Sequence, residues 1–204
     1  MRAFIVVAIA VCLAGASLRA DEPVKEFSGP QVGEKVTPFS ARGVLGDAAG
    51  KEFNLVKDTE GKPLLIFFLQ DRNRPSVSLA RLLLNYAASR KADGLRAGLV
   101  MVTGDATETE EWIKRAAGAL PSGVPIGISV DGAEGPGAYG LNRKVQVTVL
   151  VVKNDKVAAN FALVQPSVEA DAPKIAAAIV AAIGSGTPPT VEEMQKLSPP
   201  MRRP

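Results

Sequence analysis

The sequence predicts a layered α/β fold, a central mixed sheet with a parallel βαβ core and a C-terminal antiparallel hairpin. Three observations carry this expectation. Pro63 to Leu69 and Leu99 to Thr103 are continuous apolar runs of strand length, as strands covered on both faces require. Between them Val77, Ala80, Leu83, Leu84 and Ala87 recur at spacings of three and four, the mark of an amphipathic helix. Val145 to Val152 is the longest β-branched stretch, and Asn154-Asp155 turns it into Lys156 to Phe161. Buried strands joined by crossover helices run parallel, and a tight hairpin adds antiparallel edge strands.

The other elements follow in order. Residues 21–36, broken by Pro23, Pro30 and Gly33, read as an extended lead-in, and Phe39 to Val44 with Phe53 to Val56 as a pair of short strands. Pro75 suits the first turn of a helix with Asn73 as its cap, and Gly94 ends that element. Asp105 or Thr107 can cap a second helix, where Glu108, Glu110 and Glu111 favour the positive end and Trp112, Ile113 and Ala116 turn inward. Pro125 to Val130 forms a third buried strand, and the glycine-rich stretch after it allows at most a short helical turn. A last helix is expected over Ala172 to Ile183, opened by Pro173 and closed by Gly184. Residues 185–204, rich in proline, are expected to be a mostly disordered tail in which only Thr190 to Leu197 suits a brief helix. The domain itself is placed at 37–184.

Composition narrows the function. The chain has 204 residues, 47% hydrophobic and 22% charged, which suits one globular domain with appendages. Arg2, an apolar run from Ala3 to about Ala14 and the small residues up to Ala20 read as a signal peptide over residues 1–20, too short for a membrane anchor. Val11 before Cys12 disfavours lipid attachment, because a bacterial lipid-attachment cysteine follows a small residue. The expected destination is the periplasm or the exterior. Cleavage after Ala20 removes Arg2 and Arg19, leaving 22 basic against 21 acidic residues, a net charge of +1. No basic stripe then argues for nucleic acid or an anionic membrane. Cys12 is the single cysteine and histidine is absent, so the expected mature chain holds neither thiol nor imidazole.

Val32-Gly33-Glu34-Lys35-Val36-Thr37-Pro38-Phe39-Ser40, then Gly50-Lys51-Glu52-Phe53 with Gly61 to Phe68, then Ala138-Tyr139-Gly140-Leu141, Val147 to Val152 and Lys156-Val157, occur in an order and spacing that resembles the thioredoxin-like superfamily in its exported redoxin branch, the peroxiredoxin and thiol-disulfide oxidoreductase relatives. The similarity spans about Val32 to Gly184. It implies a three-layer thioredoxin-like fold and a reactive thiolate at the start of the first long helix, where free N–H groups and the helix dipole lower a thiol's pKa. Here that turn is Asp71-Arg72-Asn73-Arg74-Pro75-Ser76-Val77-Ser78, with neither a Cys-x-x-Cys pair nor a single peroxide-reducing cysteine. Ser76 and Ser78 are the nearest hydroxyls, but a serine cannot pass through sulfenic acid or a disulfide. Val147 before Thr148 stands where the family places a cis-proline, and a trans bond is expected there.

No catalytic residue, metal or cofactor is therefore assigned. The candidate ligand-binding residues are Asp71, Arg72, Asn73, Arg74, Ser76, Val147 and Thr148. The helix start and its arginines suit a carboxylate, sulfate or phosphate; the plainer alternative is a solvated loop in which Asp71 pairs with one arginine. The glycines of GAEGPGAYG do not match a nucleotide-binding spacing. The expected function is a redox-inactive thioredoxin-like binding or scaffolding module for an exported protein, a peptide or a small anion. The alternative is a redoxin-family oxidoreductase or peroxidase-type protein that works with a partner's cysteine.

Overall fold

A computed structural model describes residues 26–198. The expected signal peptide and Cys12 lie outside the described residues. The strands are β1 (Ala41–Leu45), β2 (Glu52–Phe53), β3 (Leu64–Leu69), β4 (Arg96–Met101), β5 (Ile126–Ser129), β6 (Val147–Lys153) and β7 (Lys156–Leu163). The helices are α1 (Arg74–Ser89), α2 (Ala106–Arg115), α3 (Val168–Ile183) and α4 (Val191–Leu197). The strands form one sheet in the order β2-β1-β5-β4-β3-β6-β7. β3, β4 and β5 are parallel neighbours, while β6 runs antiparallel to β3 and β7 to β6.

All six residues of β3 are buried, because the strand lies at the centre of the sheet with both faces covered. The β6–β7 turn is Asn154-Asp155, both at positive φ (51° and 59°), a conformation that matches strand twist in a two-residue hairpin. Since the steps β3-α1-β4 and β4-α2-β5 move across the sheet in one direction, right-handed crossovers place α1 and α2 on the same face. Leu79, Leu83 and Leu84 of α1, Ile113 of α2, Ile175 and Ile179 of α3 and Met194 of α4 share one core with the strand residues of that face. The opposite face carries no helix among the described residues. Val36, Phe39, Leu55, Val56, Tyr139 and Leu141, from the lead-in, loops and a 3₁₀ turn, cover Leu64, Ile66, Phe68 and Val100 there.

Two ends of the chain differ from expectation. Helix α3 starts at Val168, because Ser167 caps it by accepting from the Ala170 N–H at 3.2 Å, and Pro173 lies inside the helix instead of opening it. The tail holds the brief helix expected over Thr190 to Leu197, started by a capping box between Thr190 and Glu193, but it is packed where a loose tail was expected: Met194 is fully buried against the core of α1 and α3. Burial of one large apolar side chain supplies what composition did not reveal. The lead-in is also bound in. Gly33 donates to the Val157 carbonyl at 2.8 Å, Val157 to Glu34 at 2.9 Å, and Asn160 Nδ2 to the carbonyls of Ser28 and Pro30, both at 2.8 Å.

Candidate functional site

At the end of β3 the chain leaves the sheet through Gln70 and Asp71, whose N–H groups both donate to the Gln146 carbonyl, at 2.9 and 3.2 Å. This ties the start of α1 to the start of β6, since Leu69 and Phe68 already pair with Val147 and Thr148. Asn73 caps α1: its Oδ1 accepts from the Ser76 N–H at 2.9 Å, and its Nδ2 donates to Gln146 Oε1 at 2.7 Å and Asp71 Oδ2 at 3.0 Å. Asp71 Oδ1 in turn accepts from the Asn73 N–H at 3.2 Å. The seven sequence-predicted positions lie around this junction of β3, α1 and β6, but their side chains do not converge on one point. They differ in access: Asp71 and Arg74 are exposed, Arg72 and Asn73 partly so, and Ser76, Val147 and Thr148 are buried.

The expected pairing of Asp71 with an arginine does not occur. Asp71 is occupied by the Asn73 amide and N–H, and Arg72 instead reaches Glu108 on α2 through two bonds, of 3.1 and 2.7 Å, while lying over the Trp112 ring at 5.6 Å. Glu108 acts from the first turn of α2, capped by Asp105, which accepts its N–H at 2.8 Å. Glu110, also on α2, binds Lys114 and Arg42; these two cations hold its carboxyl below the usual carboxylate range.

Gln70, Gln146 and Ser28 belong to the site but carried no sequence signal. Gln70 Nε2 donates to the Asn142 carbonyl at 2.8 Å, its Oε1 lies 3.4 Å from Thr148 Oγ1, and Thr148 Oγ1 and Ser28 Oγ share a 2.6 Å bond. Thr148 thus faces the lead-in, while Val147 joins the helix-side core. No peptide bond among the described residues is cis.

Ser76 is the exception to this satisfaction. Its side chain is fully buried, and its Oγ has no hydrogen-bond partner. A buried hydroxyl without a partner keeps its full desolvation cost. Ser76→Ala is therefore expected to leave stability unchanged or raise it by up to about 1 kcal/mol, since alanine also favours helix. The urea midpoint measures this, and a clear fall would mean that the hydroxyl has a partner.

Chemically, the start of α1 presents the Asn73 amide and the Ser76 hydroxyl three residues apart, and no thiol. Neither can carry electrons. Free N–H groups at the helix start are few, because Asn73 takes the Ser76 N–H, Pro75 has none, and Val77 donates to the Asn73 carbonyl. Among the described residues no three His, Cys, Asp or Glu side chains come together as a metal site would need, and no helix is long and apolar enough to cross a membrane. Two cavities flank the sheet ends: one of about 570 Å³ at the N-terminal ends of β4 and β5, lined by Phe53, Leu95 and Arg96, and one of about 300 Å³ at the C-terminal ends of β3 and β4, beside the site.

No protein-family model matches the chain, and no curated protein does. Solved structures do. A Chlorobium tepidum protein assigned as the thiol:disulfide interchange protein DsbE is 19% identical, with a TM-score of 0.60 over 76% of this chain and 99% of that one. Peroxidoxin BcpB from Mycobacterium tuberculosis is 16% identical, with a TM-score of 0.52 over 74% and 97%. A secreted M. tuberculosis disulfide oxidoreductase homologous to E. coli DsbE is 14% identical, with a TM-score of 0.51 over 70% and 95%. At these identities the likeness is one of fold, and it agrees with the sheet order and the helix that follows β3: the chain has a thioredoxin-like α/β fold.

Proposed function

We propose that this chain is an exported, redox-inactive thioredoxin-like domain that binds a partner segment or a small anion at the start of α1, without reacting with it. The observation that carries the proposal is that the turn Asp71 to Ser78 holds no cysteine, while Asn73 caps the helix and ties it to Gln146. An intact frame leaves a surface of Asp71, Arg72 and Arg74 beside β6, and an oxidation cycle has no sulfur to use. Export enters through residues 1–20, whose pattern fits a signal peptide.

The test is an assay of purified protein for hydroperoxide consumption and insulin disulfide reduction, together with cross-linking to exported proteins. The expected result is no turnover above a blank, and cross-linked adducts that disappear in the Arg72→Gln, Arg74→Gln double variant. Turnover by the chain alone would overturn the proposal. Turnover only after adding a thiol protein would transfer the function to a partner's cysteine.

A further inference from the structure

The cavity of about 300 Å³ beside the site is lined by Leu69, Gln70, Met101, Val102, Thr103, Gly104, Thr109 and Ala133 and by two charged residues, Arg72 and Arg143. No acidic side chain lines it. It opens at the C-terminal ends of two adjacent parallel strands. It lies on the β4 side of α1, away from Gln146 and Val147, and shares Gln70 and Arg72 with the site described above.

Each wall has a chemical part. Leu69, Met101 and Val102 supply an apolar floor, fully or nearly buried. Thr103 and Thr109 supply neutral hydroxyls, linked at 3.0 Å, while the Gln70 amide is turned to Asn142 and Thr148. Two arginines complete the lining. Their acidic partners, Glu108 for Arg72 and Glu134 for Arg143, are not lining residues. Side chains of the Arg143–Glu134 pair are 72% and 63% exposed, so the pair contributes little and exchanges its carboxylate readily. Arg72 is held more firmly, by Glu108 and the Trp112 ring.

We infer that this cavity is a binding site for a small organic carboxylate with a short aliphatic, hydroxyl-bearing body, its carboxylate on Arg143 and Arg72 and its hydroxyl towards Thr103. Two arginines recognise a carboxylate in a planar, forked geometry that a lysine pair does not offer. A cavity of this size admits a molecule of about ten heavy atoms, at the small end of ligand pockets. This assignment rests on the non-redox reading only in treating the chain as one that holds a ligand without reacting.

Titration of the full purified protein with L-malate at low salt, followed by amide chemical shifts and calorimetry, tests it. Saturable binding is expected, with shifts at Thr103, Gly104 and Ala133, and with the dissociation constant raised about tenfold or more in Arg143→Gln, as loss of one charge-assisted pair requires. Arg143 is exposed, so that variant keeps the fold, and Lys174→Gln, at an exposed position of α3, should bind malate unchanged. Absence of saturable binding, or binding that survives Arg143→Gln, overturns the inference. Equal binding of inorganic phosphate with the same losses overturns the carboxylate part. If malate binding fails at Arg74→Gln but not at Arg143→Gln, the anion belongs to the start of α1, and the reading proposed above stands while this one falls.

Discussion

Replacing Asn73 and Ser76 together by cysteine is expected to make this chain a disulfide reductase, with insulin reduction at least about tenfold above that of the unmodified protein. The frame for a thiol pair is present. Position 73 is the cap of α1, where its side chain already accepts the Ser76 N–H at 2.9 Å, and a thiolate there would gain the same N–H and the helix dipole. Arg72 and Arg74 flank it and favour the ionised form further, while Asp71 opposes them. Position 76 is fully buried beneath it, as a resolving thiol that waits for the first to react should be. The rate of alkylation at position 73 against pH should report a thiol pKa below the ordinary value of roughly 8.5. If the folded double variant shows an unshifted thiol and no reduction, the geometry at the start of α1 is not that of a redoxin site, and the case for a degenerate redox site is lost.

Why the sequence was informative at this turn and silent beside it follows from distance along the chain. Pro75 and Asn73 act locally: a ring that suits a helix start and a side chain that caps it announce themselves within four residues. The strands β3 and β6 were legible for a similar reason, since LLIFFL and VTVLVV have no polar face to expose. Gln70 and Gln146, by contrast, become site residues only because β3 and β6 pair, and nothing near them announces that Gln146 accepts from the Asn73 amide or that Gln70 donates to the Asn142 carbonyl. Ser28 is further removed still: its hydroxyl meets Thr148 only once the lead-in has been laid along β7. Arg143 reaches its cavity from the link between β5 and β6, whose path depends on packing over the helix-free face. Proline misled at Pro173, which lies inside α3, because its local meaning is weaker than the Ser167 cap five residues before Ala172.

That helix-free face gives the largest expected loss of stability. Phe68 is fully buried at the centre of β3, and its ring lies 5.5 Å from Phe39 and 5.4 Å from Tyr139, with Phe39 and Tyr139 themselves 5.2 Å apart edge to face. The three rings come from the lead-in side, the central strand and the last 3₁₀ turn before β6, so they join segments that no helix spans. Tyr139 adds a bond from its hydroxyl to the Thr37 carbonyl at 2.8 Å, and burial raises its phenol well above the ordinary range, so it stays neutral and donating. Phe68→Ala removes the middle ring and leaves a cavity with loops, not a helix, on its far side. The expected cost is about 3–5 kcal/mol, a large part of the roughly 5–15 kcal/mol that stabilises a typical domain. Urea unfolding should show the midpoint falling with an unchanged slope, and Phe161→Ala, at a half-buried position on β7, should cost clearly less. Loops collapse into a void more easily than a packed helix does, so a loss below about 1.5 kcal/mol would show that the lead-in and the Tyr139 turn follow the missing ring inward and that the trio does not hold this face together.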